Sequence, residues 1–457
     1  MKPHPNASVS PLMRRLGAYA ARAPRAPLPA PVAEKTKHHL LDTLAAMVSG
    51  SRLPPGKIAI SFAKTLGGAK EAAVVGSAIV TSAANAALAN GMLAHADETD
   101  DSHAASQTHP GCGVVAAALA MAERERAGGT ALLRAIALGY DLCCRLTQSL
   151  GAMRFRAEGH STHSFGPAFG AAAAAGALAR LDERRMRYLF SYAAQQASGV
   201  SCWMRDEEHI EKAFDFGGMP ARNGVAAAAM VAHGFTGVED VFSGERSFFA
   251  VHRAADPDEL ARELGERYEI MNADIKRWSV GSPIQAPLDS LLELMRAHRI
   301  RPADVERLVV RVSRQGANTT HDRDMPDICM EHLCALMLLD GTVSFRSSHD
   351  RKRMRDRGVL ALRRRIELQA DEALTRVMPL RQGIVEIRLK DGCELRHHTQ
   401  AVRGTPANPM TRAEVEGKCQ DLMAPVIGRT RSRKVCDAVW NLETIRDVGK
   451  LSPLLRA

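Results

Sequence analysis

Apolar residues recur at helical spacing through most of the N-terminal half of the chain. Over residues 32–49, Leu40, Leu41, Leu44, Met47 and Val48 share one face, Pro31 suits a first turn and Gly50 a stop. The same pattern predicts helices over 82–94, 114–126 and 130–150, the last two parted by Gly128-Gly129 with Thr130 as an N-cap. Residues 169–181 are almost all alanine, glycine and leucine, and 223–233 repeat that style before Gly234. Such segments suit the centre of a bundle, where small side chains let helices approach closely.

The period changes after about residue 266. Stretches 308–313 and 383–390 are β-rich, and in the second Val385, Ile387 and Leu389 alternate with charged partners, as in a strand with one wet face. Asp391-Gly392 signals a turn into a return strand over 394–399. Helical patterns lie between, over 283–298 and 329–339. After Pro406 and Pro409, Thr411-Arg-Ala-Glu414 reads as a capping box before a last helical region. The expected fold is mainly α with an α+β second domain. A discontinuous helical domain (1–266 and 406–457) holds an inserted, smaller α+β domain (267–405).

Composition narrows the function. The chain has 457 residues, long enough for two cores, and only 4% aromatic residues. Its net charge of +10 is compatible with an anionic ligand. No basic run carries interleaved aromatics, so no nucleic-acid partner is expected. The densest basic stretch, Arg351 to Arg357, reads as a solvated helix face. The nine cysteines are scattered without a CxxC pair, which suits reduced thiols and no structural zinc. No apolar run is long enough for a membrane span. The N-terminus lacks a secretory signal's apolar region, and a cytoplasmic location is expected. Its arginines and lack of acids before Glu34 leave a mitochondrial presequence open.

Three polar clusters interrupt the apolar helices. The first runs His95-Ala-Asp-Glu98-Thr-Asp-Asp101-Ser102-His103 and on through Thr108-His109-Pro110-Gly111. It reads either as a solvated loop or as crowded titratable groups that shift one another's pKa values. Its spacing matches no metal motif, so no metal is expected. The second is Gly159-His160-Ser-Thr-His163-Ser-Phe-Gly166, at the foot of the alanine-rich helix. Free helix N–H groups and a histidine there suit an anion and a proton transfer, while N-capping serines and a structural histidine are the plainer reading. The third is Glu211-Lys212 through Arg222-Asn223, with two cations near a double glycine, and a surface lysine beside a turn as its plainer reading.

In order, these clusters resemble the MmgE/PrpD family of 2-methylcitrate dehydratases, cis-aconitate decarboxylases and iminodisuccinate epimerases. The resemblance continues through "LMLLDGTVSF" (336–345) and "RGTPANPMTRAEVEGK" (403–418). It implies a helical domain with a smaller α+β lid, a cleft site, a homodimer and no cofactor. Residue by residue, it implies catalytic roles for His160, His109, Lys212, Asp101 and Ser102. It implies substrate-binding roles for Glu98, His103, His163, Lys276 and Arg277. Where decarboxylase-type members carry a further histidine, this chain has Gly281. The expected activity is therefore a lyase that removes a proton next to a carboxylate of a small di- or tricarboxylic acid, with loss of water. Epimerisation or decarboxylation of a related acid, or silent carboxylate binding, are the alternatives.

Overall fold

A computed structural model describes residues 9–457. The chain forms two compact units. The first holds the described residues up to Ala96, then Asp101–Ala273 and Leu422–Ala457, and the second holds Asp97–Asp100 and Asp274–Asp421. The short acidic piece Asp97–Asp100, which sequence patterning groups with the helices, belongs to the second unit.

The first unit is helical. Its elements are α1 (Pro11–Arg22), α2 (Ala30–Gly50), α3 (Pro54–Leu66), α4 (Ala83–Ala94), α5 (Pro110–Arg124), α6 (Gly129–Leu150), α7 (Ala152–Ala157), α8 (Thr162–Leu178), α9 (Glu183–Gln196), α10 (Ile210–Ala213), α11 (Met219–Ala232) and α12 (Phe248–Val251). A two-stranded ribbon, β1 (Ala72–Ala73) and β2 (Val80–Thr81), precedes α4. Helix α8 is the axis. Every residue of it is buried, and it packs on α5, α6 and α11. It begins seven residues earlier than patterning alone suggests, because Pro167 sits inside it and Thr162 to Ser164 are polar. Between α10 and α11 lies one π-helical turn, Phe214–Gly218. Gly91 of α4 lets this turn approach: a Cβ there would lie 2.3 Å from the Gly217 carbonyl oxygen.

The second unit is α+β. It contains α13 (Gln285–Ala297), β3 (Val305–Val312), α14 (Arg314–Thr320), α15 (Met330–Asp340), α16 (Phe345–Ser348), α17 (Arg357–Arg363), β4 (Ile366–Ala370), α18 (Glu372–Arg376), β5 (Gly383–Leu389) and β6 (Glu394–Thr399). The sheet order is β4-β3-β5-β6, with β3 and β4 parallel and the other pairs antiparallel. Leu308, Val310, Val385 and Ile387 from the sheet join Leu288, Leu291, Leu333 and Leu336 from α13 and α15 in one apolar core. The capping box at Thr411 and Glu414 is present: Glu414 accepts the Thr411 N–H at 2.9 Å, and the Thr411 hydroxyl accepts the Glu414 N–H at 3.3 Å. It opens α19 (Arg412–Ile427), along which the chain passes from the second unit to the first, followed by α20 (Arg429–Trp440). No helix among the described residues is long and apolar enough to cross a membrane.

Candidate active site

In the first unit, the π-helical turn aims one ring, Phe216, into a group of histidines. The His163 ring stacks on it at 3.9 Å and 7°, and the His95 ring at 4.3 Å and 18°. His109 lies 5.3 Å from His163 and 5.0 Å from His95, while His209 lies 5.1 Å from His95. The Lys212 ammonium lies over the rings of Phe216 and Trp203, at 5.2 and 5.4 Å. Such a π-turn inserts one extra residue into a helix and re-aims its side chains, which is why these turns gather at functional sites. His209 adopts φ of 62°, a left-handed conformation costly for a non-glycine residue.

Two helix N-termini supply the frame. His109 is the N-cap of α5, with Pro110 in the first turn, and its side chain makes no capping bond. His163 is the second residue of α8. The N-cap of α8, Ser161, is diverted from capping: its hydroxyl donates to Asp215 and accepts the Trp203 indole N–H at 3.2 Å. Burial pushes the Asp215 carboxyl up to about 7. The positive ends of two helix dipoles and Lys212 therefore share one neighbourhood. Burial holds His163 well below the usual imidazole range, and His109, Arg156, Lys212 and His95 push it the same way. It is a neutral base at pH 7. Its Nδ1 is buried and has no hydrogen-bond partner among the described residues. Buried polar atoms almost always find partners, so an unmatched one inside a cationic setting points to a ligand.

The other sequence-derived residues go elsewhere. His160 is three residues from His163, but its ring stacks on Phe155 at 4.1 Å and meets Phe165 and His252, outside the Phe216 group. Asp101 is fully buried. Its carboxylate accepts the Tyr140 hydroxyl, the His39 Nδ1–H at 2.7 Å and the Gly111 N–H at 2.9 Å. Burial keeps His39 neutral, down to about 4, so it donates to Asp101 as a neutral ring. Asp101 thus ties the first turn of α5 to α2 and α6. Gly111 makes this possible, since a Cβ there would lie 2.8 Å from Asp101 Oδ1. His103 bonds Ser106 at 2.9 Å and faces Glu269 at 3.3 Å. Burial opposes charge on His103, but the Cys144 sulfur and Glu269 more than offset it, leaving it at about 10. Ser102 is half-buried and makes no side-chain hydrogen bond among the described residues.

The remaining three lie in the second unit. Lys276 is buried, donates to the Glu98 carbonyl at 2.8 Å, and stands 3.7 Å from the Glu98 carboxylate and 3.8 Å from Asp100. Arg277 covers the Trp278 ring and pairs with Asp289 at 3.6 Å. Gly281 is buried, donates its N–H to the Asp327 carbonyl at 3.1 Å, and would place a Cβ 2.9 Å from Ile328 Cδ1. Sequence reading gave no role to His349, which lies near this segment. Its Nε2 is 2.8 Å from Asp97 and 3.9 Å from Asp327, and its side chain is 16% exposed. Burial opposes its charge, yet Asp97 and Asp327 raise it to about 9. Asp97, which also accepts the Thr99 N–H and hydroxyl, is held low against its own burial by His349. The pairing therefore fixes the acidic segment.

This pair has a pH signature. Because His349 is raised from 6.5 to about 9, its stabilisation is complete below 6.5 and fades as pH rises through 9. Because Asp97 is lowered from 3.8, its share is present above 3.8 and is lost on further acidification. The stability difference between the wild type and His349→Gln is expected to be widest from about pH 4 to 6.5, at roughly 2 kcal/mol, and to close towards pH 9. Urea unfolding of both proteins across that range checks it, and a difference that does not vary with pH sinks it.

The sequence model of the MmgE/PrpD N-terminal domain matches residues 14–260, and that of the MmgE/PrpD C-terminal domain matches residues 278–443. The chain belongs to the MmgE/PrpD family. The cis-aconitate decarboxylase-like protein oryM of Aspergillus oryzae is 23% identical to it, over 94% of both chains. A cis-aconitate decarboxylase of Aspergillus terreus is 21% identical, over 94% of this chain and 92% of its own. Members of the family are dehydratase- and decarboxylase-type enzymes.

Proposed function

We propose that this chain is a lyase that removes the proton next to a carboxylate of a small di- or tricarboxylic acid and expels water. The observation that carries the reading is His163: neutral, buried, with an unmatched Nδ1, beside His109 and Lys212 at the feet of two helices. In this reading Lys212 and the helix N-termini hold the carboxylate. His163 Nδ1 takes the proton from the adjacent carbon. The electron pair left behind spreads onto the carboxylate, where the same positive groups meet it. His109 gives a proton to the departing hydroxyl, the carbon–oxygen bond breaks, and the new double bond forms as water leaves.

Decarboxylation is the second reading, and the names of the two Aspergillus relatives favour it. Against it stands Gly281, where the family resemblance leads one to expect a further histidine. A proton NMR time course in D₂O separates the two. The panel holds 2-methylcitrate, citrate, cis-aconitate, iminodisuccinate and related acids. Deuterium entering next to a carboxylate, with water lost, supports the proposal. Carbon dioxide release with no dehydration of any member replaces it with the second reading. No exchange and no turnover across the panel rejects both in favour of silent binding.

A further inference from the structure

Away from the histidine group, the first unit contains a cavity of about 550 Å³. Four arginines line it: Arg25, Arg126, Arg180 and Arg446. All four are exposed, and none makes a side-chain hydrogen bond or ion pair among the described residues. The one acid on the rim, Glu125, already faces Arg124 at 3.6 Å. The floor is apolar, built by Ala177, Leu178 and Leu181. Gly128, the N-cap of the 22-residue α6, lies in the same wall, and the Gly129 N–H behind it is already taken by the Ile445 carbonyl at 2.8 Å.

Two of the arginines are placed at a conformational cost. Arg126 and Arg180 have φ of 50° and 55°. Each is the left-handed residue that closes a helix. Arg126 donates its N–H to Glu123 and Ala127 to Ala122 at the end of α5, and Arg180 to Ala177 and Leu181 to Gly176 at the end of α8. Glycine is the easy residue at that position. A cation near a helix C-terminus is favourable, which would account for either arginine singly. It does not account for four arginines without an ion-pair partner among the described residues lining one hollow with an apolar floor, since like charges repel unless an anion joins them.

We propose that this cavity binds an organic polyphosphate, the arginines holding the phosphates and the leucine floor the organic part. Arginine forks match phosphate oxygens two at a time, and the volume is that of a small-molecule site. The cavity is separate from the site already described. His163 stands at one end of α8 and Arg180 just past the other, so 17 residues of helix hold them about 25 Å apart.

The test is calorimetric titration of the full chain with ATP and with tripolyphosphate, in chloride buffer without magnesium. ATP is expected to bind in the micromolar range, and tripolyphosphate at least roughly fivefold more weakly for want of an apolar part. Arg126→Gly with Arg180→Gly is expected to weaken both by roughly tenfold or more. Glycine suits both left-handed positions, so the unliganded variant should melt no lower than the wild type. Arg25→Gln with Arg446→Gln, on exposed positions, should weaken binding likewise. Absence of submillimolar binding by either probe, or unchanged affinity in both variants, overturns the site. Equal affinity for the two probes overturns the organic half of the assignment.

Discussion

Replacement of His163 by alanine is expected to lower kcat by roughly 10²–10⁴, the usual worth of a positioned general base. The expectation follows from where the two neighbouring histidines point. His163 lies flat on Phe216 within reach of His109, and its ring is kept neutral first by burial and then by surrounding cations. His160, which the family resemblance marks as the active-site histidine, lies flat on Phe155 among Phe165 and His252. His160→Ala should therefore reduce stability through lost packing while leaving kcat within roughly tenfold. The pH profile supplies a check that a structural role would not move. A base held well below 6.5 places the acid limb of kcat/KM well below 6.5, and His163→Ala should remove that limb. Deuterium exchange into whichever acid the D₂O panel identifies is the readout. Wild-type exchange in His163→Ala with lost exchange in His160→Ala would return the proton transfer to His160.

Much of this architecture is legible in the chain, and the exceptions have physical causes. The helices over α2, α4 and α6 announce themselves because apolar residues run through them, on one face in α6 and almost all round in α4, and glycine or serine marks the ends. Strands β3, β5 and β6 show through β-branched residues and a clear turn. Strand β4 does not: Ile366–Ala370 is five residues long, directly follows three arginines, and gains its place only by pairing in parallel with β3. The foot of α8 is hidden because Pro167 and a polar run look like a loop, although buried contacts hold the helix there. The acidic segment misleads in another way. Adjacent residues serve different units: Asp97 to Asp100 engage His349, Lys276 and Thr99, while Asp101 turns to His39 and Tyr140. Sequence shows carboxylates side by side, but not that successive side chains diverge into separate networks. His209 and His349 likewise carry no local signal. One depends on a positive φ and the other on a contact with residues far away in the chain.

Asp101→Ala is expected to cost about 4 kcal/mol of stability, and Asp101→Asn about 2. The carboxylate is fully buried and receives three donors: a neutral imidazole, a phenol and a backbone amide. Alanine leaves all three without an acceptor, at about 1–3 kcal/mol each, partly offset by no longer burying the anion. Asparagine keeps one oxygen for two of them. Urea unfolding should show a lower midpoint with an unchanged slope. A loss under about 1 kcal/mol for the alanine variant would mean that Asp101 does not hold this junction. The same substitution reaches the chemistry at one remove. Asp101 fixes the Gly111 amide, in the first turn of α5 two residues after His109. Loosening that turn lets the His109 ring drift from its place 5.3 Å from His163. A shift of about 1 Å at a proton-transfer site can cost roughly a hundredfold in rate. Folded Asp101→Asn enzyme should therefore lose kcat well beyond what its stability accounts for, with KM little changed. That split distinguishes a residue that positions the site from one that binds substrate, because loss of a substrate-holding charge would raise KM first.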